Sequence, residues 1–195
     1  MSFKYVNIVP DSCRIRIIQN SFVRTGSTVV VNLLHGMFCP NCPYHVSGSN
    51  RDALPHLINK THEMNCSNYH NAFGTKYQFY FISTERHRKV KKESDSRILV
   101  IPYDKILETA GYSLRNIVDY FYGQCESFLP RELFIKSEDE MKSSMYKRVD
   151  DMNKRYEEIK HQAFHSPHDK FYGIHGSHRS SNYFSKHKKL GEENV

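Results

Sequence analysis

The sequence predicts an α+β protein, with a zinc-stabilised, β-rich N-terminal region, then helices, then a disordered basic C-terminal tail. Three observations carry that expectation. Short runs of β-branched and aromatic residues fill the first half. A dense group of cysteines and histidines lies among them. From about residue 112 the apolar positions recur at three and four instead.

The strand candidates come first. Cys13 to Ile18 (CRIRII) mixes β-branched with basic residues, and the turn candidate Arg24-Thr25-Gly26-Ser27 leads into Thr28 to Leu34 (TVVVNLL), an apolar run of strand length. Lys76 to Ile82 (KYQFYFI) and Arg97 to Tyr103 (RILVIPY) read as two more strands. The charged stretch between them, Ser83 to Ser96, reads as the tip of a long basic hairpin over 76–103. These segments make up a region spanning 1–110.

The helical region spans 111–164. Leu114, Ile117, Val118, Phe121, Tyr122 and Cys125 form one apolar face, and Pro130 ends the element or starts the next. Ser137 followed by Glu140 is a capping box. After it Met141, Met145, Val149, Met152, Tyr156, Ile159 and Ala163 form a seam that packs on the chain's own domain or, as the alternative, supports a short coiled coil and a homo-oligomer through 141–163. Residues 165–195 are rich in His, Lys, Gly and Ser without a period, the composition of a disordered tail.

The Cys/His segment carries the most specific chemistry. Cys39 and Cys42 form a C-x2-C knuckle, which brings two thiolates to one ion. A helix beginning near Ala53, with Asp52 as its cap, would place His62 and Cys66 one above the other. The ligand set is then Cys39, Cys42, His62 and Cys66 around one structural Zn2+, with His56 and His70 as alternative ligands. The spacing Cys39, Cys42, His56, His62, with Phe38 before the first cysteine and Tyr44 after the second, resembles CCHH (classical or matrin-like) zinc fingers, and the set ending in His62 and Cys66 a CCHC-type module, over residues 38–70. Four ligands with spares imply a closed, structural site. The CCHH gap is one residue longer than the usual pattern and Pro55 sits beside His56, so no base-contacting positions carry over.

Charge supplies the partner. The chain of 195 residues carries a formal +7, and Arg86, Arg88, Lys89, Lys91 and Lys92 cluster within one run. That balance favours a polyanion, and the adjacent aromatics Tyr77, Phe79, Tyr80 and Phe81 suit stacked bases, although strand alternation turns half of them inward. The functional expectation is a non-catalytic, zinc-containing nucleic-acid-binding protein, with RNA or another single strand preferred. The alternative is a structural, assembly or adaptor protein, such as a viral nucleocapsid component. No glycine-rich phosphate loop or nucleophile elbow matches, so an enzyme is the disfavoured class. With neither a leader nor a membrane-spanning run in the sequence, the expected location is intracellular, in the nucleus, cytoplasm or virion, with no membrane partner.

Overall fold

A computed structural model describes residues 13–20, 26–43, 55–61, 76–85, 97–108, 113–159, 169 and 171–174. Helices and strands are mixed around a four-stranded sheet. Strand β1 spans Ile15–Asn20, helix α1 Ser27–Phe38, β2 Ile58–Thr61, β3 Gln78–Glu85 and β4 Ile98–Pro102. A π-helical turn, Asp104–Glu108, precedes helices α2 (Leu114–Phe128) and α3 (Glu138–Ile159). The strand order is β2-β1-β3-β4, and all three pairings are parallel.

Two sequence expectations give way here. Thr28 to Leu34 belongs to a helix. The run is buried on nearly every side, so it has no polar stripe to reveal a helical period, and its β-branched content resembles a strand. The hairpin over 76–103 is also corrected. Both strands exist and are neighbours, but Phe81 pairs with Ile98 in parallel, which requires a crossover instead of a tight turn.

Parallel pairing explains why no strand alternates cleanly between apolar and polar. Ile17 and Ile18 point to opposite faces and both are fully buried. Ile15, Ile17, Ile58, Ile82 and Ile101 join the main core with the helices, while Ile18, Tyr77, Phe79 and Phe81 form a second apolar cluster.

The helical half follows its periodicity. Ser113 caps α2, accepting the Asn116 N–H at 3.3 Å, and α2 stops ahead of Pro130. The Ser137–Glu140 box forms as expected: the Glu140 N–H donates to Ser137 Oγ at 3.3 Å and the Ser137 N–H donates to Glu140 Oε2 at 3.0 Å. Met141, Met145, Val149, Met152, Tyr156 and Ile159 are all buried in the main core. The seam therefore packs within the chain; Ala163 lies outside the described residues. Helix α3 packs chiefly on α1, and Gly36 permits the approach, since a Cβ there would lie 2.5 Å from Met145 Cα.

Part of the tail expected to be disordered is docked. Asp169 Oδ1 accepts the N–H groups of Phe171 and Tyr172, and Gly173 closes the turn at φ 68°. Ile174 is fully buried, and Asn32 Nδ2 donates to the Tyr172 carbonyl at 2.8 Å. Among the described residues no helix is long and apolar enough to cross a membrane.

Candidate anion site at the carboxyl edge of the sheet

The strand order places a topological switch between β1 and β3. The chain leaves β1 through α1 toward β2 on one side, and β3 is followed by β4 on the other. In open parallel sheets the crevice for ligands lies outside the carboxyl ends of such a pair of strands.

The residues found there are unusual for a protein interior. Thirteen described polar or charged residues are buried, and eight stand at this one edge: Gln19 and Asn20 ending β1, Lys60 and Thr61 ending β2, Ser83 and Thr84 near the end of β3, and Ser27 and Thr28 opening α1. Buried polar groups are the informative exceptions in a core, and here they concentrate at the switch. The single Ser83 hydroxyl proton faces both the backbone carbonyl of Asn20 (2.7 Å) and its Oδ1 (2.6 Å) as acceptors, tying β3 to β1 at the crevice.

Helix α1 begins over the same edge. Gly26 occupies its N-cap with φ 78° and ψ 10°, a left-handed conformation that glycine adopts without steric cost. A glycine offers no side-chain oxygen to the first N–H groups, and the first turn of α1 holds no acidic residue. A helix N-terminus of this kind favours negative charge. Lys60 supplies a charge beside it. Its side chain is buried, with Nζ 3.5 Å from Thr28 Oγ1, and burial pushes its pKa down to about 8.

The opposite, amino edge holds Cys39 and Cys42, two of the expected metal ligands. Cys39 follows the last residue of α1 and Cys42 sits one turn later, its N–H donating to the Cys39 carbonyl at 3.0 Å. Both thiols are buried. A hydrogen bond with Cys42, and then burial, push the Cys39 thiol well above its ordinary range. His35, which the sequence reading passed over, places Nδ1 3.2 Å from Cys39 Sγ. Above them Arg148 is 97% buried by its 3% exposure, and it donates to Asn32 Oδ1 (3.0 Å), the Pro40 carbonyl (2.6 Å) and the Phe171 carbonyl (3.0 Å).

The rest of the expected ligand set fares differently. His56 is half-buried just ahead of β2, its carbonyl accepting from Asn59 Nδ2 at 3.1 Å. The helix expected to carry His62 and Cys66 from Ala53 is contradicted, because Ile58–Thr61 is strand β2. His62, Cys66 and His70 lie outside the described residues, as do Arg86, Arg88, Lys89, Lys91 and Lys92. Lys60 reaches the start of α1, whereas Cys39 follows its end, a helix length of roughly 18 Å away. Among the described residues no three His, Cys, Asp or Glu side chains are placed to hold a metal ion as they stand.

Sequence could have pointed to the carboxyl edge. Strands β1, β2 and β3 each run from apolar residues into a polar pair: Gln19-Asn20, Lys60-Thr61 and Ser83-Thr84. Comparison with protein-family models, curated proteins and solved structures gave no match, so the functional argument rests on the chain's own geometry.

Proposed function

We propose that the protein binds a small phosphate-bearing ligand of the nucleotide type at the carboxyl edge of its sheet, over the β1–α1 turn. The observation that carries this reading is the gathering of eight buried polar residues around the start of α1 at the switch between β1 and β3. The N–H groups of the first turn of α1 and the Lys60 ammonium would receive the phosphate oxygens. Asn20, Ser83 and Thr84 would offer donors and acceptors to the rest of the ligand. A formal charge of +7 favours anions of any size, so steering and site agree in sign.

Nucleic acid is the second reading, favoured by one specific observation. Strand β3 ends at Glu85 on this same edge, and the basic run from Arg86 follows at once in the sequence. A single strand held there would use the same turn for one phosphate and the basic run for others. Both readings assign binding to the site and no chemical step.

The test is a calorimetric titration of the full chain with adenosine, AMP, ADP, ATP, inorganic phosphate and a single-stranded RNA dodecamer. Phosphate-dependent binding of the nucleotides, weakened at least tenfold in Gly26→Val, supports the first reading. RNA binding with no mononucleotide binding moves the function to the second. If none of these anions binds, or Gly26→Val binds like the wild type, the site is wrongly placed.

A further inference from the structure

The turn that follows α1 holds a pair of thiols whose chemistry is separate from the anion site. Cys39-Pro40-Asn41-Cys42 is a turn closed by the Cys42 N–H donating to the Cys39 carbonyl at 3.0 Å, with proline at the second position that such turns favour. A turn closed in this way keeps its first and last Cα atoms within about 7 Å, which overlaps the roughly 4.4–6.8 Å spanned by a disulfide. Both thiols are free, and they are hydrogen-bonded to each other. The pair therefore stands where a disulfide closes without refolding the turn.

The surroundings supply what thiol exchange needs. The Cys39 thiol donates to the Cys42 sulfur, and such a bond steadies a negative charge on the acceptor. Arg148 is a buried cation that meets no carboxylate among the described residues, and it lies within electrostatic reach of both sulfurs. On the other side of Cys39, His35 Nδ1 stands 3.2 Å from its sulfur. These contacts run as a chain from His35 to Cys39 to Cys42, and exchange requires no single point at which three groups meet. Asn41 and Pro43 are exposed, so the pair sits under a turn that faces solvent.

We propose that Cys39 and Cys42 are a reversible dithiol–disulfide couple that exchanges with small-molecule disulfides. Cys42 is the attacking sulfur. Having lost its proton to solvent, it attacks one sulfur of the incoming disulfide, whose S–S bond breaks. The first leaving thiolate takes a proton from solvent. Cys39 then passes its proton to His35 Nδ1 and attacks the Cys42 sulfur, which breaks the mixed disulfide. The second leaving thiolate collects that proton by way of solvent. The incoming disulfide is thus reduced to two thiols, and the protein pair is oxidised by two electrons. The finger-like expectation commits the same two sulfurs to zinc, and the two roles exclude each other.

The experiment equilibrates the full chain with graded mixtures of reduced and oxidised glutathione, quenches in acid, alkylates, and maps the cysteines by mass spectrometry. In the wild type Cys39 and Cys42 should convert together, with two hydrogen atoms lost across that pair, and reducing mixtures should restore both thiols. Cys39→Ser should halt the reaction with glutathione on Cys42, and Cys42→Ser should leave Cys39 a thiol over the same time. His35→Ala should slow closure of the mixed disulfide by about 100-fold, the low end of what a general base contributes, with an unchanged circular dichroism spectrum. A wild type whose Cys39 and Cys42 stay thiols in oxidised glutathione overturns the proposal, as does oxidation that begins only when a chelator is added, the mark of a zinc-bound pair. Glutathione captured by Cys39 in Cys42→Ser, or a His35→Ala chain that closes at the wild-type rate, overturns it equally.

Discussion

Replacing Gly36 with alanine should unfold the chain more easily, against the usual effect of that change in a helix. On helix propensity alone, Gly→Ala in a helix interior stabilises by about 1 kcal/mol. Here the new Cβ would lie 2.5 Å from Met145 Cα, 3.0 Å from Met145 N and 3.0 Å from Ser144 O. All three are backbone atoms, so no side chain can swing aside. Restoring an ordinary carbon–carbon contact near 3.5–4.0 Å requires α1 and α3 to part by about 1 Å. That separation loosens Leu33, Leu34, Met37, Met141 and Met145, all within one core. Overpacking of this kind costs about 1–3 kcal/mol and can exceed that when backbone must move. Because all three close atoms are backbone, the upper half of that range, about 2–3 kcal/mol, applies, and after the propensity gain the net loss is about 1–2 kcal/mol. Urea unfolding followed by circular dichroism reads this as a midpoint lowered by about 0.5–1 M, for a slope near 2 kcal/mol/M. Gly123→Ala is the matched control: it lies inside α2, and a Cβ there meets nothing within 4 Å. That variant should gain up to about 1 kcal/mol. The packing argument fails if Gly36→Ala is as stable as the wild type while Gly123→Ala behaves as expected.

Three other predictions follow from the same geometry. Lys60 has a folded pKa of about 8 against an ordinary 10.5, so between those values the unfolded chain holds the proton and the folded chain does not; its contribution to stability therefore rises from pH 8 to 10.5. Lys60→Met should be more stable than the wild type by about 3 kcal/mol below pH 8, the advantage fading by pH 10.5 in urea titrations, and no such trend would refute the burial cause. Arg148→Ala should cost about 3 kcal/mol because three carbonyl-type acceptors on α1, the Cys39–Cys42 turn and the 171–174 turn lose one buried donor; Arg148→Lys should recover only part, as thermal unfolding would record. Ser137→Ala removes the N-cap oxygen of α3 and should cost about 1 kcal/mol, with an unchanged fold by circular dichroism; a neutral result would mean Glu140 alone suffices at that terminus.

What the sequence revealed depended on whether each element has a wet face. Helices α2 and α3 do, and their periods, the stop at Pro130 and the Ser137–Glu140 box all lay in plain view. Helix α1 has none: Ser27 through Met37 are buried, so Val29-Val30-Val31 looked like a strand and the glycine before it like an ordinary turn. Strand β2 was hidden by expecting one helix to supply both His62 and Cys66, although Leu57-Ile58 ahead of Asn59-Lys60-Thr61 is a short apolar entry into an edge strand. The length of the connection between β3 and β4 is itself a signal. Twelve residues, 86 to 97, is long for a hairpin loop and suits a parallel crossover.

The anion site was harder to see because its parts are spread over four elements. Nothing in the local sequence joins Asn20, Lys60 and Ser83; parallel pairing at β1 brings them to one edge. His35 lies only four residues before Cys39, and its contact with that thiol at 3.2 Å follows from helical spacing that the sequence already displays.

The central claim is that Lys60 and the start of α1 form one phosphate site, and the pH dependence of ADP affinity tests it most directly. Calorimetry between pH 6.5 and 9.5 should give near-constant affinity below pH 8. Above it the affinity should fall by up to tenfold per unit, with proton uptake on binding, because the ligand must recharge Lys60. Lys60→Met should bind weakly and without that dependence. Tight ADP binding that ignores pH and survives Lys60→Met would contradict the account, as would no ADP binding at any pH.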